Sequence, residues 1–578
     1  MKVTCVTYAL TLCGVLFMPN VYAQETTLPP LTVSDSLTTA VPETLTTFTL
    51  TEPVTTLAEQ TGIDYSNATH IEDVITSSDL ATQTATIMAE IDELTSGPMR
   101  RGYGITVEQA INLALRNNIG LKIQYLTPQT RQWGIEGSWG EFDPTFTASV
   151  SASHTRSTTT DDDDSSNDVS SHSFGNNAMI GLSGFLPTGT NYSLSASMKR
   201  SGIQEESPWF DSTANFSVTQ SLLKGAGTDV NMISIRTAEN SYCSSLYQLQ
   251  NNLITLVTNV QNAYWNLYIA IRALDIQRTS YNLSLQQTQQ TMELVRVGRN
   301  TMLDLQSARA ELAQNVTDVI TAASTVKTAE LTFMQLINPE VYPEGWNTHF
   351  YPIDAPVLKG ETINVDDRVS LAMKLRPDLK QAMIDFDNSE LTVMQTANGL
   401  LPKLDFFTDL SSGGSYNSFV GTVRSNMEPD QFGWSAGFEF SQKLQNRNAI
   451  ASYAQAQIGR QYAMDSIENM RQTIQMDVRK AAISIESATR RVETTRITRE
   501  LRELEYAAEV EKFNVSRSIQ LLVNQAQRDL TNAALSEAQA QISLIASYLA
   551  LYQAEASTLQ RAGIKPIAPR SIYQTKNN

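Results

Sequence analysis

Two periodicities divide the chain. Between Leu246 and Leu274 the apolar residues step by three and four without a miss: Leu246, Leu249, Leu253, Leu256, Val260, Ala263, Leu267, Ala270 and Leu274. That spacing is a heptad seam, which winds helices around one another. Ile254, Val257, Tyr264, Tyr268 and Ile271 form a second stripe beside it, broken only at Gln261. One seam suffices for a dimeric coiled coil, whereas two flanks let a helix bury itself against two neighbours. Helices of that kind close side by side into a tube that is wet inside and out; a solid bundle or filament also satisfies a heptad pattern. Residues 228–297 contain neither Gly nor Pro, and neither do residues 460–562. Each stretch therefore predicts a very long helix, and 70 residues would rise roughly 105 Å at about 1.5 Å per residue.

The other periodicity is two. Phe146, Ala148, Val150 and Ala152 alternate with Thr145, Thr147, Ser149 and Ser151, the mark of a strand with one apolar and one polar face. The pattern returns in Tyr192, Leu194, Ala196 and Met198, in Phe216 and Val218, in Leu404, Phe406 and Leu410, and most cleanly in Phe432, Trp434, Ala436, Phe438 and Phe440. These segments are about the length of barrel strands that cross a bilayer, ~9–11 residues. A soluble β-sandwich alternates too. Ser, Thr, Asn and Gly dominate the polar face here, which suits a wet lumen and favours the barrel. Strands near 178–186 and 190–200, joined at Thr188-Gly189-Thr190, read as an additional hairpin. Thr158 to Asn176, with Asp161 to Asp164, reads as a polar loop whose charge run is solvated rather than a divalent-ion site.

The chain also repeats itself. Ile105-Thr-Val-Glu-Gln-Ala-Ile-Asn-Leu-Ala-Leu matches Ile363-Asn-Val-Asp-Asp-Arg-Val-Ser-Leu-Ala-Met, and the same shift lays Leu121-Lys122 on Leu379-Lys380 and Pro144 on Pro402. Thr106 and Asn364 stand as helix N-caps, with Gln109 and Asp367 three residues on. A second match lays Gly298 to Leu312 on Ser516 to Leu530, pairing Arg299 with Arg517, Leu303 with Leu521, Ala308 with Ala526 and Leu312 with Leu530. The organisation expected is a signal peptide at 1–23, a polar, largely disordered Ser/Thr-rich extension at 24–101 and a first repeat at 102–340. A linker at 341–362, a second repeat at 363–556 and a C-terminal tail at 557–578 follow. Within the extension, the stretch from Ile71 to Leu94 is periodic enough for one short helix.

Charge and composition narrow the function. The chain has 60 acidic and 42 basic side chains, a net charge of −18. No basic run compensates it, which disfavours nucleic acid as a partner. The first 23 residues carry one charge, Lys2, then an apolar run from Val6 to Met18 and the small-x-small pattern Val21-Tyr22-Ala23, an export signal. No other run approaches the roughly 18 apolar residues of a spanning helix. Cys5 and Cys13 fall in the signal, leaving Cys243 without an intrachain partner. His70, His154, His172 and His349 are scattered without metal-ligand spacing, and there is no Walker loop, GxSxG or CxxC. Neither an enzyme nor a cofactor is expected.

Several motifs then resemble one family. Ile105 to Asn118, the strand-to-helix crossing Phe216-Ser-Val-Thr-Gln-Ser-Leu-Leu-Lys-Gly-Ala-Gly, its second copy Phe438-Glu-Phe-Ser-Gln-Lys-Leu, and the turn from Gly298 to Leu312 are similar to those of TolC-family outer membrane efflux proteins. The resemblance covers roughly residues 102–556. It implies a mixed α and β fold: a transmembrane β-barrel continuous with a long α-helical coiled-coil tunnel, built from an internal duplication and assembled as a homotrimer. In that family each protomer gives four strands to a twelve-stranded barrel and two helical hairpins to a periplasmic tunnel. The long extension and the additional hairpin depart from this.

The resemblance further implies an exit channel in outer membrane lipid, extending into the periplasm and working with a periplasmic adaptor protein and an inner-membrane transporter in efflux or type I secretion. The turns at Val297 to Asn300 and Val515 to Ser518 would form the tip that meets the adaptor, with Gly298, Arg299, Asn300, Ser516, Arg517 and Ser518 as contact residues. Some relatives narrow the tunnel with aspartates in the second hairpin, where this chain has Leu522 and Gln525; Asp304 is the aligned acid in the first hairpin. A coiled-coil envelope scaffold accounts for the helices but not the alternating strands. An open diffusion porin accounts for the strands and has no use for the hairpins.

Overall fold

The computed structural model describes residues 84–91, 102–159, 169–203, 208–338, 349–356, 363–426, 428, 431–515 and 517–564. The segment read as an export signal, most of the polar extension and Asp161 to Asp164 lie outside the described residues. Residues 84–91 form helix α1, inside the stretch whose weak periodicity predicts one. Next come strand β1 (Tyr103–Ile105), helices α2 (Val107–Asn117) and α3 (Ile119–Trp139), and strands β2 (Thr145–Thr159), β3 (Val169–Leu186), β4 (Thr190–Ile203) and β5 (Trp209–Ser221). A short helix α4 (Thr228–Asn231) leads into α5 (Ile233–Arg296) and α6 (Met302–Ile337). After β6 (Phe350–Pro352) the order of helices, strands and long hairpin recurs: α7 (Val365–Leu375), α8 (Pro377–Leu400), β7 (Lys403–Tyr416), α9 (Phe419–Ser425), β8 (Phe432–Ser441), α10 (Arg447–Asn514), α11 (Gln520–Ala554) and α12 (Thr558–Arg561).

The N-caps act as their sequence suggests. Thr106 and Gln109 form a reciprocal capping box on α2, and the Asn364 side chain accepts from the Asp366 N–H on α7. Helices α5 and α10 hold 64 and 68 residues, about 96 and 102 Å at 1.5 Å per residue.

Both apolar stripes of α5 are buried. Leu249, Leu253, Val260, Leu267 and Leu274 are inaccessible along the first, and Ile254, Val257 and Tyr264 along the second. They pack against α6, α3, α8 and α11, and each large side chain so buried contributes about 1.5–3 kcal/mol. Met88 and Ile91 of α1 join a separate cluster with Leu274, Tyr281, Leu312 and Val316.

The strands form one antiparallel sheet in the order β2-β3-β4-β5-β7-β8. Its register gives the two faces: Phe146, Leu182, Leu194, Phe216, Leu410 and Trp434 lie side by side across all six strands. One residue along, the row is Thr147, Gly181, Ser195, Asn215, Ser411 and Gly433, on the opposite face. The additional hairpin is present, and longer than its apolar residues suggest. Thr158, Thr159 and Val169 to Asn176, expected in a loop, belong to β2 and β3. The ladder needs only backbone groups, and Phe174 and Ser173 keep the alternation going through a polar composition.

The turn of this hairpin is seated on the crossing from β5 to α5. Gly189, at φ 87°, approaches the Gly225 carbonyl so closely that a Cβ would collide with it. Asn231 Nδ2 donates to the carbonyls of Pro187, Gly225 and Gly227 at 2.9–3.1 Å.

A segment read as linker takes part in the fold: β6 pairs in parallel with β1. Tyr264 of α5 fastens the pair. Its hydroxyl donates to the Ile105 carbonyl (3.0 Å) and accepts from the N–H groups of Ile353 and Asp354 (3.1 Å each). The Asp354 carboxylate in turn accepts from the Val107 N–H at 2.8 Å. A three-residue strand is too short to announce itself by periodicity.

Polar groups interrupt the seam where α5 and α6 meet α11. Ser280, Ser284, Asn315 and Gln527 are buried together. Gln527 Nε2 donates to the Ser280 carbonyl (3.0 Å) and to Ser284 Oγ (2.9 Å), and Asn315 bonds both serines. Such a layer costs stability and fixes register, because any slip orphans its members. Nearby, Glu311 of α6 accepts from Arg528 of α11 at 2.7 Å while its other oxygen has no partner.

Two stability outcomes follow from these groups. Tyr264→Phe leaves the Asp354 N–H without its partner, while the Ile353 N–H and the Ile105 carbonyl keep the bond between them (3.2 Å), and should cost about 1 kcal/mol, read as a lower melting temperature by circular dichroism. Burial, more than the nearby Asp354 charge, pushes the Tyr264 phenol up to about 12. The stability that the neutral phenol contributes is therefore complete below pH 10 and lost as pH rises towards 12. Burial also raises the Glu311 carboxyl, against the opposing pull of Arg528. Its protonated form is thus the one the fold favours. Stability from this group is full below the ordinary carboxylate range and falls as pH rises through the raised value. Glu311→Gln should remove that loss, and melting curves at pH 4 and 7 that keep it in the variant would refute the assignment.

Candidate functional site

The two hairpin turns are built alike. Helix α5 ends at Arg296 with Val297 as its C-cap, and Gly298 takes φ 75°, a left-handed conformation open to glycine at little cost. The N–H of Arg299 reaches back to the Leu294 carbonyl (2.8 Å) and that of Gly298 to Val295 (3.0 Å), the paired bonds of a Schellman ending. In the second hairpin α10 ends at Val515, and the Arg517 N–H reaches the Lys512 carbonyl at 2.8 Å, the counterpart of the Arg299 bond. Ser516 itself lies outside the described residues.

Bonds beside the turns bring the hairpins together. Thr291 Oγ1 donates to Gln520 Oε1 at 3.2 Å, both residues fully buried. Gln290 Nε2 lies 3.5 Å from Asn514 Oδ1. The first turn and the second, which lies between Asn514 and Gln520, thus share one end of the bundle. Arg299 and Arg517 are exposed there, while Asn300 and Ser518 are half-buried. Ser518 is engaged inward: its hydroxyl donates to Glu509, which also pairs with Lys512 Nζ at 2.9 Å. The Ser518 hydrogen bond first, then Lys512, holds the Glu509 carboxyl below its ordinary value.

The three residues aligned with a constriction stand on two helices, Asp304 on α6 and Leu522 and Gln525 on α11. Asp304 closes a capping box on α6: its carboxylate accepts from the Thr301 N–H (3.0 Å) and hydroxyl (2.6 Å), and its own N–H donates to Thr301 Oγ1. Leu522 and Gln525 lie on the exposed face of α11, and among the described residues no hydrogen bond joins either to Asp304. The Thr301-x-x-Asp304 spacing is itself a capping signature, so this role was open to the sequence.

Sequence reasoning passed over the apolar side chains of the same end. Leu303 is 78% exposed and Leu521 55%, and these two are an identical pair in the repeat alignment. Val297, Val515 and Ile519 are exposed beside them. The repeat supplied the signal; only the structure supplies the exposure. Among the described residues no group of three or more His, Cys, Asp or Glu could hold a metal ion. No helix there is long and apolar enough to cross a membrane.

Comparison with known proteins agrees with this architecture. Outer membrane protein TolC of Escherichia coli (strain K12) is 25% identical over 248 residues, 41% of this chain and 48% of that protein. The chain thus matches about half the length of that relative. The Campylobacter jejuni CmeC outer membrane channel superposes with a TM-score of 0.60 over 81% of this chain and 88% of that one, at 14% identity. For the outer membrane protein VceC of Vibrio cholerae the TM-score is 0.56 over 78% and 95%, at 12% identity. Both likenesses establish the fold. A family model described as outer membrane efflux protein matches residues 183–339 and 369–556, more than half of the chain. A sheet with one apolar face set on long paired helices is therefore no isolated design: the chain belongs to the outer membrane efflux protein family, a family of channels rather than of enzymes.

Proposed function

We propose that the protein is the outer membrane exit channel of a tripartite efflux or type I secretion assembly, working as a homotrimer with a periplasmic adaptor and an inner-membrane transporter. The observation that carries this reading is the open sheet. Its order ends at β2 on one side and β8 on the other, so each leaves a row of backbone N–H and C=O groups unpaired within the chain. In lipid such edges cost several kcal/mol per group, and a spanning sheet must close. Six strands are fewer than the eight of the smallest outer-membrane barrels. Three copies, β8 of each against β2 of the next, make a closed barrel of 18 strands. The apolar face, with Trp434 79% exposed, then meets lipid and the Ser/Thr/Asn face lines the lumen.

The helical hairpins extend the duct into the periplasm as a tunnel, and the element order that occurs twice reflects a duplication. Residues 102–340 and 363–556 are the two repeats, bridged by 341–362 and flanked by the extension and tail. The tip residues Gly298, Arg299, Asn300, Ser516, Arg517 and Ser518 meet the adaptor. The exposed Leu303 and Leu521 add apolar anchors to a polar rim, the composition of a binding patch. Asp304, Leu522 and Gln525 stand where the tunnel narrows, with Asp304 also serving as a cap. The cargo passes through unchanged.

Two experiments test this. Arg517→Glu should lower export at least about tenfold, since a reversed rim charge opposes the partner, while trimers resistant to detergent still form. Export at the wild-type level would remove the tip assignment. A photo-crosslinking residue at Leu521 in the native envelope should capture an adaptor; capture of no envelope protein would overturn the tripartite reading and leave a scaffold or an open porin.

A further inference from the structure

The far end of the sheet, away from the helices, changes character on its apolar face. On β2 that face runs Phe146, Ala148, Val150 and Ala152 and then carries His154 and Arg156; on β4 it runs Leu194, Ala196 and Met198 and then carries Arg200. Arg156 and Arg200 stand about ten residues above the helical ends of their strands. At the usual barrel tilt that is roughly 25 Å, the height of the apolar band of an outer-membrane barrel. These side chains therefore lie at its outer boundary.

Arg200 and His154 line a cavity of about 470 Å³. In the register, Ala152, Asn176 and Arg200 form one row and His154, Phe174 and Gly202 the next. Ala152 and Gly202 are small, and a Cβ on Gly202 would already touch Pro208 at 3.6 Å. The space left is walled by His154, Phe174, Asn176 and Arg200. The Arg200 guanidinium sits 6.0 Å from the Phe210 ring centroid, and His154 Nε2 lies 3.2 Å from His172 Nδ1. Among the described residues no carboxylate forms an ion pair with Arg200 or Arg156. Asp211 projects from the opposite face, as its pairing with Lys199 in the register requires.

The neighbouring helix α9 packs on the same apolar face. Ser212 and Thr422 are buried between them, Thr422 Oγ1 donates to the Phe210 carbonyl at 3.1 Å, and a Cβ at Gly414 would collide with Ser425 Oγ. It leaves Phe419 and Val420 exposed and carries Arg424 in its last turn. A short helix that is apolar towards its surroundings and basic at one end suits a membrane interface.

We infer that this rim binds a phosphate-bearing lipid headgroup of the outer leaflet, with Arg200 and Asn176 holding the phosphate and His154 closing the cavity. The inference rests on the apolar face being the lipid face. Charge selects a phosphate, because the Arg200 fork, which no carboxylate pairs among the described residues, matches its oxygens. Position selects a lipid over free phosphate: directly below the cavity lie Val150, Ala178 and Met198, then Ala148, Ile180 and Ala196. That is an apolar track along which an acyl chain runs down the sheet.

The test uses the purified full-length protein in detergent, with lipid A carrying two phosphates, the same lipid dephosphorylated, and inorganic phosphate alone, read by native mass spectrometry. Wild type should retain the phosphorylated lipid at least about tenfold better than the dephosphorylated one, and Arg200→Gln should erase that preference. Gly202→Leu, which fills the cavity without touching a charge, should weaken retention as well. Equal retention of the two lipids, an unchanged preference in Arg200→Gln, or binding of inorganic phosphate without lipid would each overturn the inference. Conductance in planar bilayers separates the readings: a conducting protein without the preference refutes only the lipid site, whereas failure to insert refutes the channel too.

Discussion

Helix α5 carries two apolar flanks, and nearly every other helix of the bundle is placed by one of them. Helices α3, α6, α8 and α11 pack along it, and the cluster around Leu253, Val260 and Tyr264 also takes in α2 and Leu559 of α12. Dispersion and burial hold this arrangement without regard to direction. Direction comes from the hydrogen bonds set into the seam: the Tyr264 hydroxyl, which ties β1 to β6, and the Ser280–Ser284–Asn315–Gln527 layer, which ties the hairpins. A helix with one stripe could pair, but could not hold neighbours on both sides at once.

The two halves of the molecule obey different accounting rules. In the bundle every long helix satisfies its own backbone, so its neighbours are chosen by side chains alone. In the sheet the backbone chooses, and β2 and β8, at its two ends, each keep a row of groups with no partner strand in the chain. The junction between these regimes is tight. Gly189, Gly225 and Gly227 all adopt positive φ, and Asn231 collects three carbonyls there, so the hairpin of β3 and β4 is fixed to the start of α5 rather than hung loosely from the sheet.

Much of this was legible in the sequence, for identifiable reasons. The seam from Leu246 to Leu274 and the alternation from Phe432 to Phe440 are long and regular, and both became what their period says. The repeat and the family resemblance placed both hairpin turns, which the structure sets between Arg296 and Met302 and between Asn514 and Gln520. What escaped was short, or was masked by composition. β3 begins among serines and asparagines whose alternation is visible only against a partner strand; β6 is three residues long; α12 buries Leu559 within a stretch read as tail. At the tip, charge drew attention to Arg299 and Arg517, and the capping role of Asp304 and the repeated Leu303 and Leu521 went unweighed. Exposure is a property of packing, and no one-dimensional pattern gives it.

In the three-copy channel proposed above, the hairpin of β3 and β4 would alter the hydraulics of the duct. Barrel diameter grows roughly in proportion to strand number. A mouth of six strands per copy is therefore about 1.5 times as wide as one of four, with about 2.25 times the cross-section. The helical part gains nothing, since each copy still offers two hairpins. That proposed duct would be a nozzle in reverse, narrow along the helices and flared at the sheet, and its mouth would restrain the bulk of what emerges less than its helical part does.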